Sequence, residues 1–195
     1  TIKNDFYYLV AHLLFCKMKY AFLLTLLIYP LMYAQELYSL EDVNPNSITY
    51  ESVIGPDYFG GKVVLHYFGA FTWGTCTTRF GELNEINDDF KSNGYQVELI
   101  GVSKSSWQAG LVNWVNQGNA PICIDESPYP VWDDWEAIQR DLFITDVNGQ
   151  VVFKENITSG IPSNIIDIIS GYLNVQKEIL PDMFLLKQNY PNPFN

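Results

Sequence analysis

The sequence predicts an α/β domain in which a central mixed sheet is flanked by helices. Three observations carry that prediction. Strand-like and helix-like periodicities alternate from residue 62 to residue 118, a further short strand and a hairpin follow, and the run closes on a helical pattern. Alternating strands and helices make parallel crossovers, and a late hairpin adds an antiparallel edge.

The first strand is "KVVLHYFGA", residues 62–70, where Val63, Val64 and Leu65 form the continuous apolar run of a strand covered on both faces. After Cys76 the spacing turns helical. Phe80, Leu83, Ile86 and Phe90 share one side, Glu82, Glu85, Asp88 and Asp89 lie elsewhere, and Gly94 fits the position just past the end. "YQVELIGVS" (95–103) is the next strand, and Trp107, Leu111 and Trp114 suggest a second helix face closing near Gly118. "APICIDE" reads as a short strand and "PYPVWDDWEAIQ" as a Pro-opened aromatic segment of one or two helical turns. "DLFITDVNGQVVFKE" is a hairpin with Asn148-Gly149 supplying positive φ at the turn. "SNIIDIISGYL" is the closing helix, capped by Ser163 or Asn164.

Composition excludes several classes of function. The 195 residues carry 11 Lys+Arg against 22 Asp+Glu, a net charge of −11, which argues against nucleic acid and anionic membrane surfaces. Only 2 histidines occur, and His66 is the one inside the predicted domain, so a Ser-His-Asp triad or a zinc site would have to be built around it alone. His66 is expected to be a strand residue under a helix. No phosphate-binding glycine loop, metal cluster or haem attachment pair is present, so no cofactor is expected. Of 3 cysteines, Cys76 and Cys123 fall in the domain; they can pair only if their Cα atoms come within about 7 Å. "NIT" at 156 is a glycosylation sequon by pattern only.

The ends read differently from the middle. The chain opens on Thr1, and Met18 is taken as the natural start of "MKYAFLLTLLIYPLMYAQ", a secretory signal with cleavage near Ala34. Its apolar run falls short of the ~20 residues of a bilayer span and is interrupted by Pro30, so no stable span is expected after cleavage. The expected organisation is a presequence at 1–34, one domain at 35–173, a linker at 174–182 and a distinct tail at 183–195. That tail, with "QNYPNPFN" at 188–195, closely resembles the opening of the carboxy-terminal sorting domain of the type nine secretion system in Bacteroidetes-like bacteria. Signal and tail together imply a secreted or cell-surface protein, exported through the periplasm, with the secretion machinery as a partner.

"GKVVLHYFGAFTWGTCTTRFGEL", with "LIGVS" and "LFITDVNG", resembles the thioredoxin-like superfamily over residues 50–173. The resemblance implies a thioredoxin-like fold and a site where the first strand meets the following helix, the position where open α/β sheets place chemistry. Two registers compete. Against the dithiol motif Phe-Trp-Ala-x-Trp-Cys-Gly-Pro-Cys, Cys76 matches the second cysteine and Trp73 stands at the first, while Arg140 stands about where a cis-proline is expected. Against the peroxiredoxin motif Pro-x-x-x-Thr-x-x-Cys, Cys76 is the peroxide-reacting cysteine, Gly69 and Trp73 replace the Pro and Thr, and Thr72 lies one position early. "RDLFITDVNG" is similar to the peroxiredoxin stretch whose Arg stabilises the thiolate and orients the peroxide, and Arg140 matches that Arg.

A third resemblance is to the amino-terminal domain of selenoprotein P, through "PVWDDW" and "DLFITDVNG". That domain carries selenocysteine at the place of Trp73 and cysteine at that of Cys76. Selenocysteine is encoded by UGA, which some genetic codes read as Trp, so Trp73 can stand for a misread selenocysteine. The expected function is a secreted thiol redox protein that reduces a peroxide or a disulfide and acts on a peroxide or protein thiol. Its site would be Cys76 with Arg140, Thr72 and Trp73, with Cys123 as a candidate resolving partner. The alternatives are a non-catalytic binding module at the cell surface and the selenoprotein. Thr72, Thr75, Thr77 and Thr78 are equally candidates to cap the helix.

Overall fold

The computed structural model describes residues 38–179, with side chains to residue 173. Cys16, the expected signal and the expected sorting tail lie outside the described residues. The first elements are a short antiparallel pair, β1 (Leu40–Glu41) and β2 (Val53–Ile54), which no apolar pattern announced. The main sheet has five strands: β3 (Val63–Phe68), β4 (Val97–Lys104), β5 (Ile122–Asp125), β6 (Asp141–Thr145) and β7 (Val151–Asn156). Their order is β5-β4-β3-β6-β7. β3, β4 and β5 run parallel, whereas β6 and β7 are antiparallel to their neighbours. The helices are α1 (Gly74–Ser92), α2 (Leu111–Val115), α3 (Pro130–Asp134) and α4 (Ile165–Ile179). The expected mixed sheet flanked by helices is the observed one.

β3 is central and buried at every position, as its apolar run predicts. Side chains alternate across a strand, so β3 feeds two cores. Val63, Leu65 and Tyr67 pack with Phe80, Leu83 and Phe90 of α1 and with Ile165, Ile169 and Leu173 of α4. Val64 and Phe68 pack on the opposite side with Phe143, Trp132 and Trp135. The second core is closed at one edge by Lys104, whose Nζ lies 4.7 Å from the Trp132 ring centre and 4.8 Å from that of Tyr129.

Several local expectations need correction. The segment around Trp107 is not a regular helix. It is a 3-10 stretch, Ser105–Gly110, leading into the one-turn α2. Gly110 sits against the backbone of the site loop, where an added Cβ would lie 2.7 Å from Phe71 C and 2.8 Å from Thr72 N, so close approach replaces helical regularity. In the hairpin, positive φ falls at Gly149 alone (φ 79), because the turn spans 146–149 with Gly149 N–H donating to Asp146 O at 2.8 Å. The last helix runs to Ile179, so the expected linker from 174 begins in helical conformation. Asn164 O accepts the Ile168 N–H at 3.0 Å, which puts Asn164 at the backbone cap position. Among the described residues, no helix is long and apolar enough to cross a membrane.

β5 would be a bare edge, but the β1–β2 segment covers it. Asp42 bridges to Cys123, and its buried Oδ1 accepts from Ile122 N at 3.0 Å and Asn44 N at 2.9 Å. Thr49 Oγ1 donates to Asp42 Oδ2 at 2.8 Å. A covered edge cannot template pairing with another chain.

His66 is buried on the second face, against Trp135 (ring centres 4.8 Å apart), which immediately follows the short α3. Tyr38 Oη and His66 Nδ1 are 2.8 Å apart, and Thr145 Oγ1 lies 3.2 Å from Nε2. Thr145 Oγ1 itself donates to Val64 O, which assigns the ring proton to Nε2 and makes Nδ1 the acceptor. Burial holds this imidazole down to a pKa of about 3, against about 6.5 in the unfolded chain. The unfolded state therefore binds the proton that the folded state refuses. Stability falls as pH drops from about 6.5 toward 3, by at most about 1.4 kcal/mol per pH unit from this group. Urea titrations of His66→Gln should show a shallower loss over that window than the unmodified chain; equal slopes would contradict the assignment.

Candidate functional site

The site is built where β3 ends. The chain leaves Phe68, crosses the tight passage at Gly69 and enters α1 after Trp73. A Cβ at Gly69 would meet Trp114 Cζ2 at 2.9 Å and Tyr67 Cε1 at 3.0 Å, so this passage requires glycine. Trp73 is the N-cap residue, extended at φ −106 and ψ 121, with no side-chain cap. Cys76 is consequently the third residue of the helix. Its backbone N–H belongs to the first turn, where amides lack helical partners and favour negative charge.

Trp73 and Cys76 differ sharply in exposure. The Trp73 side chain is 52% exposed, whereas Cys76 is fully buried. Both meet Arg140. Its Nη1 lies 3.9 Å from Cys76 Sγ, and its guanidinium carbon lies 6.0 Å from the centre of the Trp73 ring. Among the described residues, no carboxylate pairs with Arg140. An ordinary surface ion pair is therefore not its role.

Arg140 is held by its backbone as well as by its side chain. It has a positive φ of 73, uncommon for a residue with a Cβ. Its N–H donates to Phe68 O at 2.7 Å, and its carbonyl accepts from Ile157 N at 2.9 Å. Nε donates to Thr158 Oγ1 at 2.7 Å. Thr158 Oγ1 in turn donates to Asn156 Oδ1 at 2.5 Å, and Asn156 Nδ2 donates to Asp141 Oδ1 at 2.7 Å and Gln139 O at 3.0 Å. A relay of side chains at the end of the hairpin thus fixes the guanidinium against the sulfur. The Asn156 amide of the sequon is fully engaged in this relay.

The remaining predicted site residues are placed as follows. Thr72 is exposed on the loop, and among the described residues no hydrogen bond joins it to Cys76 or Arg140. The threonines do not cap α1. Thr77 and Thr78 instead donate back to the carbonyls of Trp73 and Gly74, at 3.4 Å and 3.1 Å. Cys123 is not paired with Cys76. Both cysteines are free, and they belong to the two different cores, with Cys76 on the α1 face and Cys123 opposite Val102 on the other, so the sheet lies between them. Burial, and then Asp42, push the Cys123 thiol up in pKa and keep it protonated.

Two features were missed in the sequence. One is Tyr67, whose Oη donates to Cys76 O at 3.3 Å from within the core. Period-two alternation from Leu65 would have put Tyr67 on the α1 face. The other is the Asn156–Thr158 relay, which no local pattern signals because it forms only when β6 and β7 pair Asp141 with Asn156.

Compared by sequence, the chain matches no protein-family model and no curated protein. Compared by structure, it is similar to the thioredoxin domain of a thiol-disulfide oxidoreductase from Bacteroides vulgatus (TM-score 0.55, 16% identity, 71% of this chain and 94% of that one). It is also similar to a secreted disulfide oxidoreductase from Mycobacterium tuberculosis (TM-score 0.54, 12% identity, 73% and 98%). A third similar structure is the mitochondrial 2-Cys peroxiredoxin from Plasmodium falciparum (TM-score 0.55, 19% identity, 72% and 90%). The fold is therefore thioredoxin-like, and at these identities the likeness establishes the fold alone.

Proposed function

We propose that this chain is a thiol redox protein whose reacting sulfur is Cys76. The observation that carries this reading is the guanidinium of Arg140 at 3.9 Å from Cys76 Sγ, within the first turn of α1. A cation and a helix N-terminus together favour a thiolate, the nucleophilic form of cysteine. In the peroxide reaction, the Cys76 thiolate attacks one oxygen of a hydroperoxide. The S–O bond forms as the O–O bond breaks, the sulfur gives up two electrons, and the alkoxide leaves as an alcohol after taking a proton from solvent. The product is a sulfenic acid. Because Cys123 lies across the sheet, the return to thiol calls on two equivalents of an external thiol, released as a disulfide with water.

Burial of the sulfur makes this reaction gated. An oxidant reaches Cys76 only after the first turn of α1 or the Arg140 side chain moves aside. The site is proposed to act outside the cytosol, the chain being exported through its signal and engaged by the secretion machinery through its tail.

A second reading is favoured by the contrast between Trp73 and Cys76. An exposed residue at the N-cap and a buried cysteine three positions later have the asymmetry of an attacking and a resolving chalcogen, and selenocysteine at 73 would complete such a pair.

Treated with hydrogen peroxide in the presence of a sulfenic-acid trap, the chain should gain the adduct on Cys76 and not on Cys123, and Cys76→Ser should abolish it. No adduct above the Cys76→Ser background would leave a non-catalytic binding module. For the second reading, the gene should carry UGA at codon 73, and Trp73→Cys should form a reversible disulfide with Cys76 and gain disulfide-reductase turnover. A UGG codon would exclude it.

A further inference from the structure

Tyr67 is fully buried in the core beneath the first turn of α1, enclosed by aromatic neighbours. It stacks against Trp114 (ring centres 5.4 Å apart, planes 28° apart) and against Phe80 (6.3 Å, 17°). Trp114 and Phe80 themselves stack at 4.3 Å. Two glycines make room for this stack. A Cβ at Gly101 would come within 2.7 Å of both Phe80 Cε2 and Trp114 Cζ3, and Gly69 is constrained in the same way. The phenol oxygen is thereby fixed at the Cys76 end of the stack, and its proton can turn only about the C–O bond.

We infer that Tyr67 is a positioning residue for Cys76, its hydroxyl turning from the Cys76 carbonyl to the Cys76 sulfur when that sulfur carries charge. This rests on the reading of Cys76 as the reacting thiol. The resting bond, Oη to Cys76 O at 3.3 Å, is longer than the 2.7–2.8 Å typical of O–H···O contacts, so the donor is poorly used. A charged sulfur is the stronger acceptor, since bonds to ionised groups are roughly twice as strong as neutral ones.

The phenol also stays a donor. Burial pushes its pKa far up, negative charge on Cys76 and a hydrogen bond to the Cys76 side chain, which lies within the phenol's reach, push it further, and Arg140 and Arg79 pull only partly the other way. It therefore does not ionise in competition with the thiol. Arg140 and Tyr67 divide the work between them: the guanidinium supplies charge, and the phenol supplies a directional bond from the core. No proton is transferred to or from Tyr67 in this role.

The experiment is a pH–rate profile for peroxide oxidation of Cys76 in the full chain and in Tyr67→Phe, which removes one oxygen and keeps the ring. The fraction of thiolate is read in parallel by absorbance at 240 nm against a Cys76→Ser blank. Tyr67→Phe should oxidise about tenfold more slowly near pH 7, with the gap closing by about pH 9, and should show less thiolate absorbance near pH 7. A rate lowered equally at every pH, or unchanged at every pH, overturns the inference while leaving Cys76 as the reacting thiol. An unmodified chain no faster than its Cys76→Ser variant overturns both.

Discussion

The contact between the Arg140 guanidinium and the Cys76 sulfur is the interaction on which the site depends. It joins the start of β6 to the start of α1, two elements that the sheet brings together and the sequence keeps 64 residues apart. Arg140 makes this contact from a left-handed backbone conformation that costs a residue with a Cβ on the order of 1–3 kcal/mol. That cost is borne by the carbonyl of Phe68, by the amide of Ile157 and by the Asn156–Thr158 relay. Held by these partners, the Arg140 guanidinium faces the Cys76 sulfur.

The two faces of the sheet have different tasks. On the α1 face, a stack of Tyr67, Phe80 and Trp114, admitted by Gly69 and Gly101, supports the helix that presents Cys76. On the other face, His66, Tyr38 and Trp135 form a polar and aromatic layer in which the imidazole is kept neutral by burial. The two cysteines have different neighbours. Cys76 lies beside the Arg140 guanidinium in the first turn of α1, whereas burial and the Asp42 carboxylate push the Cys123 thiol up in pKa.

Much of the fold was legible because burial writes periodicity into sequence. The Val63-Val64-Leu65 run marks a strand covered on both faces, the spacing of Phe80, Leu83 and Phe90 marks a helix face, the Asn148-Gly149 pair marks a hairpin turn, and each element appears where expected. The β1–β2 pair was not legible, since two-residue strands have no period and owe their place to Asp42 bonding across to Ile122. The stretch around Trp107 had helical spacing, but close packing of Gly110 on Phe71 tightened it into a 3-10 turn. Cys76 and Arg140 were singled out by their neighbours in sequence, and their side chains lie 3.9 Å apart in the structure. The opposite placement of Cys123 was readable only by choosing a strand face. The Thr158 relay required the β6–β7 register, a tertiary fact.

The most direct test of this account is the rate at which peroxide oxidises Cys76 when Arg140 is changed. Arg140→Gln should slow the reaction about tenfold or more at neutral pH, Arg140→Lys should recover part of the loss, and added salt should narrow the difference. Equal rates in all three proteins would show that the sulfur does not use the guanidinium, and the account would fail.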